Sequence, residues 1–172
     1  MLVAAVGTFV AGFDQLVAAA DHACAKLGLD GFAQIGQSSI TPTTMRWERF
    51  LPQERLIATF QQARVVVCHA GMGIVGEALR ANVPIVLFPR QGPTRRGHPA
   101  NDQTEFACRI AERHGLLVCS DGDALPDLVT GLLREPAKRN YRLGSDIPAI
   151  LGTWLSTHGG TSPNHRSRTG TV

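Results

Sequence analysis

The segment from Val65 to Leu79 most constrains what this chain can fold into. An apolar, β-branched run ends at His69, three closely spaced glycines follow, and Glu77 lies within the first turns of the segment after them. This order predicts a buried strand, a tight turn and the N-terminus of a helix. The first N–H groups of a helix lack intrahelical partners and carry the positive end of its dipole, so such a corner favours an anion such as phosphate. His69 is placed to donate to the same anion.

The glycines of this corner also match the GxGxxG spacing of dinucleotide-binding proteins. A nicotinamide site needs, in addition, an acidic residue about 20 positions downstream for the ribose, and that region reads PRQGPTRRG without a carboxylate. Arginines in that region would suit a 2′-phosphate, so NADP stays open as an alternative. However, the dinucleotide fingerprint normally follows the first strand of its fold, and here it follows a later one.

Apolar runs alternate with helical periodicity along the chain, which predicts an α/β fold with a doubly wound parallel sheet. The predicted strands are Leu2–Val6, Phe32–Ile35, Met45–Phe50, Val65–Cys68, Ile85–Phe88 and Leu116–Cys119. The predicted helices are Asp14–Leu27, Gln53–Gln62, Gly73–Ala81, Asn101–His114 and Asp123–Arg134. Ligands of such sheets bind outside the carboxyl ends of the strands, and the unusual polar residues of this chain follow predicted strand ends.

Length, charge and cysteine spacing narrow the class of protein. With 172 residues the chain suits one domain, and its net charge of +3 is too small to indicate a nucleic-acid partner. The four cysteines show no Cys-x-x-Cys spacing, so neither a metal site nor a disulfide framework is expected. We predict a domain over residues 1–155 and a disordered basic tail over 156–172, because apolar periodicity ends near Ser156.

The apolar N-terminal segment MLVAAVGTFVAGF predicts a first strand and turn rather than a signal peptide. It lacks a basic region and is interrupted by Gly7 and Gly12. No apolar run reaches the roughly 18 residues that a membrane-spanning helix needs. We therefore expect a cytoplasmic protein that associates with a membrane only through a partner or its surface.

Several polar residues near the strand ends have both a structural and a functional interpretation. The ring nitrogens of His69 either form hydrogen bonds with backbone groups or donate a hydrogen bond to a phosphate. Glu77 either interacts favourably with the positive end of the helix dipole or accepts two hydroxyls of a ribose. Asn101, Asp102 and Gln103 open a helix, so capping explains at least one of them, but together they also suit the hydroxyls of a sugar.

Six short motifs occur in order along residues 1 to about 120: VGT, FDQL, FAQIGQS, HAGMG with EAL, PIVLFPR and NDQTEFA. This set resembles the C-terminal, donor-binding half of family 28-type GT-B glycosyltransferases. It is similar to the stand-alone catalytic subunits of two-component enzymes, such as those of bacterial exopolysaccharide synthesis and the soluble subunit of the eukaryotic dolichol-linked N-acetylglucosamine transferase. The resemblance implies a Rossmann-like sheet that forms a single C-terminal-type half of a GT-B fold.

The resemblance also implies a UDP-sugar site with named residues. The implied diphosphate ligands are His69 and residues of two glycine turns, namely Gly7, Thr8, Gly71 and Gly73. Glu77 is implied to accept the ribose hydroxyls, the backbone of Phe50 and Leu51 to recognise uracil, and Asn101, Asp102 and Gln103 to contact the donor sugar. His69 is the implied catalytic residue. The implied chemistry is inverting and needs neither a metal nor a cofactor, because the helix dipole and His69 stabilise the leaving UDP.

The function implied is transfer of a sugar from a UDP-sugar to a lipid-diphosphate-linked saccharide in exopolysaccharide or cell-surface glycan synthesis. A membrane-attached partner subunit would bind the acceptor and hold this chain at the inner face of the plasma membrane. Arg90, Arg95 and Arg96 favour an anionic donor or acceptor, although solvated loop charges explain them equally well. Relatives often carry Ser or Thr at the position of Ile74 and Glu at the position of Gly97. These two departures favour the alternative, a non-catalytic nucleotide-sugar-binding or regulatory subunit.

Overall fold

A six-stranded parallel sheet forms the centre of the part of the chain that the structure, a computed structural model, describes. The described residues are 1–92, 102–135, 139–141, 143, 144, 153, 156 and 157. The strands are β1 (Leu2–Ala5), β2 (Gly31–Gln34), β3 (Arg46–Glu48), β4 (Val65–Cys68), β5 (Ile85–Leu87) and β6 (Leu117–Val118). Their order in the sheet is β3-β2-β1-β4-β5-β6, and every neighbouring pair is parallel. The predicted doubly wound α/β fold is confirmed.

Helices connect the strands at the positions that the periodicity predicts. They are α1 (Asp14–Leu27), α2 (Gln53–Gln62), α3 (Met72–Arg80), α4 (Thr104–His114) and α5 (Leu125–Leu133), the last preceded by a 3₁₀ turn at Gly122–Ala124. The predicted bounds of α1 and α2 are confirmed. Helix α4 begins at Thr104 rather than at the predicted Asn101, because the Asp102 carboxylate caps it from outside by accepting the N–H of Thr104.

Alternate residues of the central strands supply two hydrophobic clusters, one on each face of the sheet. Leu2 and Ala4 of β1 belong to the cluster that includes α1 and α5. Val3 and Ala5 belong to the cluster that includes α2, α3 and α4. Residues of β4 alternate in the same way. Both faces of the sheet are therefore covered, as is typical of parallel sheets.

The strand order reverses between β1 and β4, which are neighbours with Ala5 opposite Cys68. At such a switch point the connections after the two strands leave towards opposite faces of the sheet, and a crevice opens between them. The loop that begins at Gly7 and the turn that begins at His69 therefore lie side by side at the carboxyl edge.

The side chain of Gln34, at the end of β2, ties this edge together. Its Oε1 accepts the N–H of Gly7 at 2.9 Å, and its Nε2 donates to the carbonyl of Gly7 at 3.0 Å and to that of Arg49 at 2.8 Å. Gly7 has a φ of 76°, so its backbone turns away from β1 and cannot continue the ladder. One buried amide thus satisfies both polar groups of the turn.

The chain divides into two compact units, Met1–Arg142 and Leu143–Val172. All the elements above belong to the first unit. Of the predicted tail over 156–172 the structure describes only Ser156 and Thr157, so that prediction lies almost wholly outside the described residues, and the boundary after residue 155 stays a prediction. Among the described helices, none is long and apolar enough to cross a membrane.

Replacing Gln34 by Leu should lower the free energy of unfolding by about 2–4 kcal/mol, because it leaves the N–H and C=O of Gly7 buried without partners. Chemical denaturation measures this difference. Gln62 is exposed near the end of α2, and Gln62→Leu is the matched control, expected to change stability by no more than about 0.5 kcal/mol. Equal effects of the two substitutions would contradict the role given to Gln34.

Candidate functional site

A cavity of about 570 Å³ opens at the carboxyl ends of β1 and β4. Its volume lies in the range of small-molecule sites. Three segments line it: Gly7, Thr8, Phe9 and Val10 after β1; Gln53 and Leu56 of α2; and His69, Gly71, Met72, Gly73, Ile74 and Glu77 around the start of α3. The cavity therefore brings together every residue for which we predict a diphosphate or ribose contact, although those roles stay predictions.

The imidazole of His69 lies between two glycines that leave room for it. A Cβ at Gly7 would overlap the ring at Nε2, and a Cβ at Gly71 would overlap it at Cε1. A Cβ at Gly73, in contrast, would meet no atom within 4 Å. The lack of a Cβ at Gly7 and Gly71 is therefore required, first of all, to make room for the His69 ring.

Gln103 holds the far side of the imidazole. Its Nε2 lies 3.1 Å from Nδ1 of His69, and its Oε1 accepts the backbone N–H of Arg90 at 3.3 Å. Burial lowers the pKa of His69 to about 4, and the positive charge of Arg90 lowers it in the same direction. His69 is therefore neutral at physiological pH and serves as an uncharged hydrogen-bonding group.

Arg90 is buried beneath the cavity wall, with 2% of its surface exposed. The guanidinium donates to the carbonyl oxygens of Gly12 and Val6 and stacks over the rings of Phe13, at 4.4 Å, and Phe9, at 5.3 Å. Burial lowers the pKa of Arg90 to about 10, so it remains protonated at neutral pH.

The charge of Arg90 is not matched by a carboxylate within the described part of the chain. None of the ion pairs there includes it, and its Nε has no hydrogen-bond partner among the described residues. The expectation of a solvated loop charge is therefore wrong for Arg90, whereas Arg95 and Arg96 lie outside the described residues. The sequence signal that could have identified Arg90 as a residue of the site is its position. Like His69, it is the first charged or titratable side chain after a buried strand.

The first turn of α3 forms the wall beside His69. The N–H of Gly71 donates to the carbonyl of His69 at 2.9 Å, and the N–H of Gly7 donates to Gln34, so both amides already have partners. The N–H groups of Met72, Gly73 and Ile74 lie in the first helical turn and have no intrahelical acceptor. Together with the imidazole they give this wall the character of an anion site.

Glu77 and the start of α2 form another side of the cavity. The Oε1 of Glu77 accepts from Nε2 of Gln53 and from Nη1 of Arg80, both at 3.2 Å. Phe50 and Leu51, for which we predict uracil recognition, lie just before α2 and are not among the lining residues; Phe50 is 45% exposed. The structure thus brings Gln53 into the cavity from that segment, and the uracil contact stays a prediction.

The residues predicted to contact the sugar are divided by the structure. Asp102 is engaged locally: its carboxylate accepts the N–H of Thr104 at 2.8 Å and that of Gly92 at 3.2 Å, and these bonds, the Thr104 bond foremost, lower its pKa. Gln103 contacts His69, as described above. Neither residue is among those that line the cavity, and Asn101 lies outside the described residues. Their sugar contacts stay predictions.

Gly71→Ala should displace the His69 ring, because the new Cβ and the imidazole require the same space. The expected results are a changed NMR signal from the His69 imidazole and a loss of about 1–3 kcal/mol in the free energy of unfolding. Gly76→Ala is the matched control, since its Cβ would make only ordinary contact, 3.5 Å from Arg80. An unchanged His69 signal in Gly71→Ala would contradict this packing.

The imidazole of His69 should titrate near pH 4 rather than near 6.5, as followed by NMR of histidine-labelled protein. The unfolded chain binds this proton first, so the native state loses stability as the pH falls from 6.5 towards 4, by about 3 kcal/mol in total. Above pH 6.5 this group contributes no pH dependence. Titration at the ordinary value would contradict the burial described here.

A scan against protein families matches residues 4–145 to the glycosyltransferase family 28 C-terminal domain. A curated relative is the UDP-N-acetylglucosamine–N-acetylmuramyl-(pentapeptide) pyrophosphoryl-undecaprenol N-acetylglucosamine transferase of Bifidobacterium adolescentis. It is 29% identical over 115 residues, which cover 64% of this chain and 27% of the relative. The chain thus spans about a quarter of the length of that relative.

Two solved structures share the fold. The glycotransferase of kitacinnamycin superposes with a TM-score of 0.58 at 26% identity, over 78% of this chain and 35% of that one. The Acinetobacter baumannii MurG structure superposes with a TM-score of 0.55 at 18% identity, over 89% of this chain and 49% of that one. The sheet with its flanking helices is therefore the Rossmann-like C-terminal domain of a GT-B glycosyltransferase, and the chain belongs to glycosyltransferase family 28 as its C-terminal domain.

Proposed function

We propose that this chain binds a UDP-sugar and forms the donor half of a glycosyltransferase that transfers the sugar to a lipid-diphosphate-linked saccharide. The observation that carries the proposal is the wall of the cavity at the switch point. There the neutral His69 imidazole and the open N-terminus of α3 face one space, in a domain of family 28. Neutral donors and a helix dipole suit a diphosphate without requiring a protein cation in contact with it.

The proposed chemistry follows from where charge develops. As the bond between the anomeric carbon and the β-phosphate oxygen breaks, that oxygen gains negative charge and UDP leaves with it. The first-turn N–H groups of α3 and an N–H of His69 would stabilise this charge in place of a metal ion. Attack of the acceptor hydroxyl from the opposite side forms the new glycosidic bond and inverts the anomeric centre, and the hydroxyl proton passes to a base that the acceptor half supplies. In this proposal Glu77 accepts the ribose hydroxyls and Phe50 and Leu51 contact uracil. The sugar contacts come from the residues just before α4, namely Asn101, Asp102 and Gln103.

The proposed acceptor and partner rest on two observations. The name of the Bifidobacterium relative specifies a pyrophosphoryl-undecaprenol acceptor, a lipid diphosphate. At the cavity itself, Val10 and Met72 are 68% and 71% exposed, although both are apolar. Such side chains suit a surface that another protein covers. We therefore propose that a membrane-attached subunit supplies the acceptor half there, at the inner face of the plasma membrane, in synthesis of an exopolysaccharide or another surface glycan.

A second function, nucleotide-sugar binding without transfer, is favoured by one residue. Ile74 lines the cavity in the first turn of α3, where the related enzymes often carry a hydroxyl. An isoleucine there offers no side-chain donor to a diphosphate. A subunit of this kind would bind UDP-sugars and regulate assembly of the complex.

His69→Ala should weaken transition-state stabilisation by about 2–4 kcal/mol, as loss of one oxyanion donor does in other enzymes. Calorimetry with UDP measures the ground-state part of this loss, and sugar transfer measures the remainder. His22 is exposed on α1, and His22→Ala is the matched control that should leave both quantities unchanged. Unchanged turnover in His69→Ala would remove His69 from the mechanism.

The decisive assay combines this chain with membranes that contain the partner subunit and with a radiolabelled UDP-sugar. Transfer of label to lipid supports the glycosyltransferase proposal. Binding of UDP without transfer to any acceptor membrane supports the regulatory function instead. Absence of UDP binding, with and without the partner, contradicts both. A comparison of UDP with ADP tests whether the base is recognised.

A further inference from the structure

Gln103 joins three elements of the site through one side chain. It precedes α4, its backbone N–H donates to the carbonyl of Arg90 at 2.9 Å, and its own carbonyl accepts the N–H of Ala107 at 2.9 Å. The side-chain amide then spans from the backbone of Arg90 to the ring of His69. Gln103 is therefore fixed at both its backbone and its side chain.

The neighbours of this amide determine which way round it lies. The backbone N–H of Arg90 can only donate, so the atom of Gln103 that faces it at 3.3 Å must be the carbonyl oxygen. The NH₂ group consequently faces Nδ1 of His69, at 3.1 Å. An amide NH₂ only donates, so Nδ1 must present its lone pair and the single proton of the neutral ring must be on Nε2.

The Nε2 end of the ring lies against the first turn of the cavity. A Cβ at Gly7 would overlap this nitrogen, and Gly7, Thr8 and His69 all line the same space. The polar groups of Gly7 are already bonded to Gln34. Nε2 therefore lies against Gly7 in the lining of the cavity, which also contains the first turn of α3.

We propose that Gln103 is a positioning residue that fixes His69 in the Nε2–H tautomer, so that the imidazole presents a neutral N–H to the diphosphate. The part that concerns the diphosphate rests on the function proposed above, whereas the tautomer does not. In the other tautomer a lone pair would face the phosphate oxygens, and two acceptors would repel each other. The tautomer therefore decides whether His69 attracts or opposes the ligand.

The surrounding charges are consistent with this role. Arg90 is the charged group that acts on the imidazole, and together with burial it keeps the ring uncharged. A ring that cannot protonate near neutral pH can donate from only one nitrogen at a time. Whether the ring can donate a hydrogen bond to an anion in the cavity then depends on which nitrogen carries the proton, and the hydrogen bond from the Gln103 amide determines this.

The first measurement needs no substitution. Nitrogen-15 NMR of histidine-labelled wild-type protein at about pH 7, where His69 is neutral, should show the Nε2–H tautomer. A predominant Nδ1–H tautomer would overturn the proposal, whether or not the protein binds UDP. Failure of the wild type to bind UDP would contradict the proposed function and leave this result unaffected.

Two variants test the role of the amide. Gln103→Glu keeps the shape and the acceptor for Arg90 but turns an acceptor towards Nδ1, so at about pH 8.5 the proton should move to Nδ1 and the affinity for UDP should fall about tenfold or more. Gln103→Met removes the donor without adding charge. It should let the second tautomer appear and weaken UDP binding in the same direction. Thermal unfolding of each variant checks that it is folded.

The ligand distinguishes positioning of His69 from direct contact with the sugar. If Gln103→Met weakens binding of UDP itself, which carries no sugar, the positioning role is supported. A second outcome is that Gln103→Met weakens only the binding of UDP-glucose or UDP-N-acetylglucosamine, while the affinity for UDP and the His69 tautomer stay as in the wild type. Gln103 would then contact the sugar, and the proposal would be overturned. A tautomer switch in Gln103→Glu without a change in UDP affinity would overturn the part that concerns the diphosphate.

Discussion

The packing of one imidazole between two glycines is the contact on which the rest of this site depends. Strands β1 and β4 are neighbours at the switch point of the sheet, so the turns that follow them compete for the same space. Because Gly7 and Gly71 have no Cβ, the ring of His69 occupies that space and separates the two turns. The cavity wall and the orientation of the first turn of α3 follow from this spacing.

The sequence was sufficient for the fold and for the local corner, because both depend on neighbours along the chain. Strand and helix periodicity predicted every described strand and α-helix, and the segment from Val65 to Leu79 predicted the strand, turn and helix that the structure contains. It did not predict the 3₁₀ turn at Gly122–Ala124, so α5 begins at Leu125 rather than at the predicted Asp123. The contacts that complete the site are distant in sequence. Gln34 is 27 residues from Gly7, and Gln103 is 34 residues from His69. Periodicity carries no information about such pairs.

Charged residues were harder to predict than apolar ones, for a related reason. Whether a charge is solvated depends on what packs around it in three dimensions. Arg90 is enclosed by carbonyl oxygens and by the rings of Phe9 and Phe13, which come from the far end of the chain. Asp102 has the opposite environment, since its carboxylate is exposed and bonded to nearby backbone N–H groups. The sequence predicted capping as one role among Asn101, Asp102 and Gln103, but not which residue takes it.

The amide of Gln34 has a consequence for how this edge of the sheet meets a ligand. It joins the turn after β1 to the backbone that follows β3, at Arg49, through three hydrogen bonds. Two loops that would otherwise sample separate conformations are thus ordered when the protein folds. A molecule that binds in the cavity therefore meets a turn after β1 that is already ordered, and the loss of loop entropy that usually weakens association at flexible sites has already occurred there.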